Sequence, residues 1–374
     1  MALILTDEEQ ALADSVRKFV ADRSPLTSLR HLITSGEPYD ADVWKQMTAQ
    51  LGLAGLTIPE EYGGVGAGVS ALSVALTELG AGLVASPLLA SVLAAEVLLR
   101  LDDHAAKTQL LPRIAGGEVI ATLAVASGAG GYVTASTSSD GATLSGTISP
   151  VLNGAEASVL LVPADTDSDT GSDTGSDTDS GQVIYLVDGA AEGLTRTRLT
   201  SVDHSRSLAR VQLSGTPGRA LAGDAAAALA AASDLANLAL ASESAGAMKA
   251  CLDMTSAYAR IRVAFGQPIG AFQAVKHRLA DMEKSWELGQ AALRDAARAG
   301  DAEPGRFSVA ASVARVLLAS AYADAAVDTV QLHGGIGFTW EHDAHLYYKN
   351  GLSNKVLLGG PGDQLDRLAD SLGI

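Results

Sequence analysis

A chain of 374 residues is long enough for two or three ordinary domains around a substantial core. A formal charge of −17 argues against a nucleic-acid partner held through its phosphates. The single cysteine, Cys251, excludes an internal disulfide and fits a reducing compartment. With 47% hydrophobic but only 4% aromatic residues, the chain is rich in alanine and leucine, which suits close-packed helices. The first ten residues lack the basic stretch and cleavage site of a signal peptide. The longest apolar runs are Ala-rich and broken by Asp, so no membrane span and a cytoplasmic location are expected.

Thr6-Asp-Glu-Glu9 is a capping box ahead of Leu12, Val16, Phe19 and Val20, and opens a helical stretch to residue 34. Further helices are predicted over 40–51, 68–79, 87–100 and 104–114, separated by glycine-bearing loops, which makes 1–118 an all-helical front domain. The pattern then changes. Short apolar runs at 119–125, 142–148, 158–163, 183–187, 194–199 and 207–213 alternate with Gly, Asp and Ser turns, as strands of a small barrel or sandwich over 119–222 do. Six aspartates among small polar residues at 164–181 leave nothing apolar to bury, so a solvated, disordered loop is expected. A calcium loop would need a bidentate Glu at its twelfth position, which is absent here. From 223 to 374 the chain reads as a helical bundle, with helices over 225–264, 276–298 and 308–332. Arg260 and Arg262 fall in the last turn of the first of these, where cations complement the helix dipole. Gly266, Pro268 and Gly270 supply the turn that follows.

Three blocks of this sequence resemble the signatures of the acyl-CoA dehydrogenase family. They are Trp44-x(6)-Leu51-Gly-Leu-Ala-Gly-Leu-Thr-Ile-Pro-Glu-Glu-Tyr-Gly-Gly64, Arg262-x-x-Phe265-Gly266 followed by Phe272-Gln273, and Gln331-Leu-His-Gly-Gly-Ile-Gly-Phe338. The resemblance implies a mostly α fold with a central β domain, in which a helical N-terminal domain, a small β barrel or sandwich and a C-terminal four-helix bundle follow in order. It also implies FAD, an acyl-CoA thioester substrate and an electron-transfer flavoprotein as acceptor. Such an enzyme needs a carboxylate base beside the α carbon, a β-domain surface for the flavin ring, and a neighbouring subunit that grips the diphosphate end of FAD.

The last of these sets is present. Arg262 offers a planar guanidinium for a diphosphate. Phe265 and Gln273 match the residues that reach the nucleotide across the dimer interface. Gln331, Gly334 and Gly335 match the loop whose backbone approaches the same FAD, although a plain helix C-cap would also explain the glycines. The base is missing. One branch of the family places a glutamate where this chain has Leu358-Gly359-Gly360; another places it where Ala236-Asn237 stands. The flavin-ring segments are eroded too, with Ala124–Tyr132 lacking Thr-Glu and Ser-Asp, and Pro150-Val-Leu-Asn153 replacing Trp-Ile-Thr. Lys349-Asn350 takes the place of a common Arg-Asp.

Loss on one side only implies the non-catalytic partner of a catalytic acyl-CoA dehydrogenase subunit, sharing FAD at the interface. This resembles the heterotetramers of actinobacterial steroid side-chain degradation. A homomer with a relocated base, at Glu243 or Asp234, and a non-enzymatic scaffold are the competing readings. No histidine has metal-ligand spacing, so no metal is expected. Gly128-x-Gly130 lacks the third glycine of a dinucleotide fingerprint. His333-Gly-Gly has no accompanying Gly-x-Ser-x-Gly.

Overall fold

Thr6 opens the first helix, α1 (Asp7–Arg23), through the expected capping box. Its hydroxyl accepts from the Glu9 backbone N–H at 3.2 Å, while the Glu9 carboxylate accepts from the Thr6 backbone N–H at 2.8 Å. A computed structural model describes residues 4–125, 131–138, 141–166 and 182–374. The acidic tract beyond 166 and the Gly128-x-Gly130 stretch lie outside the described residues. Pro25 breaks the predicted 6–34 helix in two, because its ring cannot continue α1, and α2 (Leu26–Ser35) starts afresh behind it. Then come α3 (Ala41–Ala49), α4 (Gly68–Ala81), α5 (Leu88–Arg100) and α6 (His104–Ala115). Between α3 and α4 the 51–64 block folds into tight turns. A Cβ at Gly64 would run into the carbonyl of Ile58, so its glycine is a packing requirement.

The central strands are β1 (Ala121–Leu123), β2 (Gly131–Ser138), β3 (Gly141–Leu152), β4 (Val159–Thr166), β5 (Gln182–Asp188), β6 (Leu194–Arg198) and β7 (Leu208–Ala220). Strands β4, β2, β3, β7 and β5 pair in that order, and β5 pairs back to β4, which closes a barrel. Its interior is filled by Val133, Leu144, Ile148, Leu160, Val162 and Val211. The 131–138 strand was not expected, since Thr and Ser at four of its eight positions read as turn composition.

After the barrel, α7 (Ala225–Ile261), α8 (Gln273–Ala302) and α9 (Pro304–His333) pack on one another, and α10 (Ala344–Val356) and α11 (Pro361–Leu372) close the bundle. Helices α7 and α9 are long and apolar enough to cross a membrane, but 61% of each apolar window is buried inside this fold. Helix α7 stops at Ile261 rather than at residue 264, so Arg262 is its C-cap residue and not part of its last turn. Small residues let α4 and α7 approach closely. A Cβ at Gly246 would strike the Thr77 carbonyl, and one at Gly80 would strike the Glu243 carbonyl. This contact fixes α7 against the front domain, and α7 carries residues of both candidate sites described next.

Candidate functional site

Past Arg262 the chain forms a two-residue hairpin, with β8 (Val263–Ala264) paired to β9 (Gln267–Pro268). Its tip is Phe265-Gly266, both at positive φ (51° and 80°). Such a turn favours Asn-Gly. A phenylalanine there costs on the order of 1 kcal/mol in backbone strain, and its ring is 96% exposed, touching only Phe272 edge-on at a centroid distance of 6.2 Å. Among the described residues nothing else packs on that ring or offsets that strain. The same surface holds the other predicted residues. Arg262, Gln273, Gln331, Gly334 and Gly335 are all exposed. Arg262 makes no ion pair among the described residues, so its guanidinium faces outward with its donors available.

The two motif loops lie side by side because Tyr258, near the end of α7, stacks on His333, at the end of α9, with ring centroids 4.4 Å apart. Gly334 is the C-cap residue of α9 at φ +64°, so its glycine already has a local explanation. Gly335 has none. Its φ is ordinary, and a Cβ there would meet open space. An exposed guanidinium beside glycine backbone free of side-chain cover fits the diphosphate end of a dinucleotide.

The base positions are elsewhere. Ala236 (4% exposed) belongs to a buried apolar cluster with Leu235, Ala239, Leu240 and Leu357, and Leu358 packs against the same cluster. The fold therefore brings together two positions 122 residues apart in sequence (236 and 358), and both are hydrocarbon. Leu152, from the segment expected to back a flavin ring, joins that cluster as well. Asn237 donates to Gln364 of α11 at 2.7 Å and is buried in helix packing.

Neither alternative carboxylate is free. Glu243 is ion-paired with the buried Arg206. The cavity it lines, with Leu76, Leu83 and Leu88, has a volume of about 30 Å³, room for water but not for an acyl chain. Asp234 pairs with Arg367 of α11; burial pushes its carboxyl up, and the Arg367 charge opposes this. Asn350 is equally structural. It donates to Ser205 at 2.9 Å and accepts from the Tyr322 hydroxyl at 2.9 Å, tying α10 to α9 and to the loop after β6. The Cys251 thiol is pushed up to about 12 by burial and is inert.

Sequence reasoning missed the groups that hold these pieces in place. Arg315 of α9, fully buried, donates to the carbonyls of Asn354 (2.5 Å) and Leu357 (3.1 Å) and so pins the backbone next to Leu358. Burial, with repulsion from Arg206, lowers its guanidinium to about 10. His342 continues the Tyr258–His333 stack at 4.3 Å. Tyr258 and His333 stand four residues before Arg262 and two after Gln331, so proximity to the motifs was the one available signal for them. Among the described residues no group of three or more His, Cys, Asp or Glu could hold a metal.

Comparison with known proteins matches the acyl-CoA dehydrogenase N-terminal domain over residues 6–118 and the acyl-CoA dehydrogenase C-terminal domain over 217–373. The chain is 33% identical to acyl-CoA dehydrogenase IpdE2 of Mycobacterium tuberculosis, over 97% of this chain and 96% of that protein. Among solved structures it is similar to a variant of the Tcur3481-Tcur3483 steroid ACAD, with 31% identity, a TM-score of 0.86 and 98% of each chain covered. It is also similar to the ChsE4-ChsE5 complex from Mycobacterium tuberculosis, with 28% identity, a TM-score of 0.89, 100% of this chain covered and 99% of that one.

Proposed function

This chain belongs to the acyl-CoA dehydrogenase family, and from that premise we propose that it is the non-catalytic subunit of a heteromeric, FAD-dependent acyl-CoA dehydrogenase. FAD, when bound at the interface, supplies the hydride acceptor for α,β-dehydrogenation of an acyl-CoA thioester. Arg262 pairs with its diphosphate. Gln331, Gly334 and Gly335 present backbone and amide groups beside it, and Phe265 and Gln273 reach across to the partner. The unlike subunit contributes the carboxylate base and the surface for the flavin ring. The complex is a cytoplasmic heterotetramer acting in side-chain β-oxidation, with a steroid side-chain CoA as substrate and an electron-transfer flavoprotein as acceptor.

The observation that carries this reading is one-sidedness. The outward-facing grip is exposed and makes no ion pair among the described residues, whereas Ala236 is buried in an apolar cluster and Leu358 packs, partly buried, against it. The similarity to the Tcur3481-Tcur3483 steroid ACAD and to the ChsE4-ChsE5 complex supports the pairing of unlike chains and the steroid substrate class. The test is to reconstitute the complex with its catalytic partner and introduce Arg262→Ala and Gln331→Ala. Each charge-assisted hydrogen bond lost costs about 1.5–3 kcal/mol, so FAD affinity should fall at least tenfold while assembly persists. Unchanged FAD affinity in both variants refutes the assignment.

A further inference from the structure

A groove with a cavity of about 550 Å³ lies between α1, α4, α7 and α8, well within the size range of small-molecule sites. On α4 it uses Ser70, Val74 and Thr77, the face opposite to Leu72, Leu76 and Leu79, which build the sealed cluster. It is therefore separate from the base positions, and none of its lining residues belongs to the Arg262 hairpin. Along α8 the lining runs from Trp286 to Arg298, which at 1.5 Å per residue is about 18 Å. The groove is long and narrow.

Charged side chains at both of its ends are ion-paired within the protein. One end is closed by the Glu9–Arg298 ion pair, the other by Arg17–Glu78 (2.6 Å) and Lys249–Asp253 (2.5 Å). Between the ends the walls are Ala13, Val74, Ala250, Leu293 and Ala297, small or apolar side chains that leave the space open. One polar group in it is left over. Ser70 is 5% exposed and its hydroxyl has no hydrogen-bond partner among the described residues. Helix capping does not need that hydroxyl, because Asp301 already accepts from the backbone N–H groups of Val69 and Ser70 at 2.6 and 3.0 Å. A buried hydroxyl without a partner costs about 1–3 kcal/mol, and a ligand able to hydrogen-bond it recovers that.

We propose that this groove binds an extended, uncharged, apolar molecule about 18 Å long with a single hydroxyl or carbonyl, which hydrogen-bonds Ser70 at the Arg298 end. Two sources share this chemistry, a long linear alcohol and a fused-ring 3-hydroxysteroid, and both are used as probes. Trp286 lines the groove and reports occupancy through its fluorescence. The assembled complex is titrated with hexadecan-1-ol and with cholestanol. At least one should quench saturably, and which one does so identifies the source. In Ser70→Ala the affinity for that probe should drop about fivefold or more, with little change for hexadecane. In Ala250→Phe, which fills the groove, saturable quenching should be lost while the thermal midpoint stays near the parent value. Should Ala250→Phe fail to fold, Ala13→Leu takes its place. Absence of saturable binding by either probe overturns the proposal. So does an Ala250→Phe or Ala13→Leu protein that binds as the parent does, or tighter binding of palmitate than of hexadecan-1-ol.

Discussion

Placing a carboxylate back at position 236 asks directly whether that site is a sealed core or a resting pocket. Ala236 is 4% exposed within an apolar cluster, so the glutamate of Ala236→Glu would be held out of water. Keeping it neutral at pH 7 against an unfolded-state value near 4.3 costs about 3.7 kcal/mol. Forcing the extra atoms into packed space adds about 1–3 kcal/mol. The expected loss of about 5–7 kcal/mol approaches the whole stability of many domains. Its pH dependence is distinctive. The folded value is raised, so the penalty is smallest below the unfolded value and grows as pH rises towards the folded one. The deficit relative to the parent should therefore shrink by about 1.4 kcal/mol per unit as pH is lowered from 7 towards 4.3. Denaturant titrations of parent and variant at pH 5, 6 and 7 measure it. A variant as stable as the parent at every pH would refute the sealed-core account, because it would mean the position opens onto solvent or a ligand cleft.

Phe265→Gly should stabilise the chain by about 1 kcal/mol, since it removes a side chain from a left-handed turn position where it packs on little. The same variant should weaken association with the partner and FAD retention, measured by thermal unfolding and by gel filtration of the complex. Burial holds His345 down at about 4 and pushes His333 and His342 below the ordinary histidine range as well. Folded values below the unfolded value of about 6.5 mean that stability is fully present above pH 6.5 and lost as pH falls towards 4. His345, with its value held lowest, contributes most of that loss, so denaturant titrations of His345→Leu should show a flatter pH profile between 6.5 and 4. Arg206→Met strands Glu243 without its cation and should cost about 3–5 kcal/mol, most of it recovered in the Arg206→Met/Glu243→Met double variant. A double-mutant cycle by chemical denaturation checks this.

The parts of the fold that the sequence made legible are those with local causes. The Thr6–Glu9 box depends on a four-residue motif, and α7, α8 and α9 depend on apolar periodicity sustained over some thirty residues or more. Helices α10 and α11 were not foreseen as separate elements. In α10 the buried positions include His345, Asn350 and Asn354, and the two amides donate to Ser205 and Ser244 on distant elements, so the hydrophobic period is masked. Arg262 moved from helix to cap because the hairpin beyond it, not propensity, ends α7.

For the candidate site, motif resemblance located the exposed residues, but the convergence of Ala236 with Leu358 depends on how α7 and the segment after α10 dock. The sequence does carry both residues, yet nothing local joins them. The Arg206–Glu243 pair and the Arg315 cap on the Leu357 carbonyl are likewise contacts between distant elements, and no spacing rule predicts them.

The most direct measurement is the flavin-to-protein ratio of the complex purified after co-expression with a catalytic homologue, set beside that of this chain purified alone. One FAD for each pair of unlike chains, together with a colourless, inactive isolated chain, is the predicted result. One FAD per chain, or an isolated chain that is yellow and desaturates an acyl-CoA unaided, contradicts the division of labour.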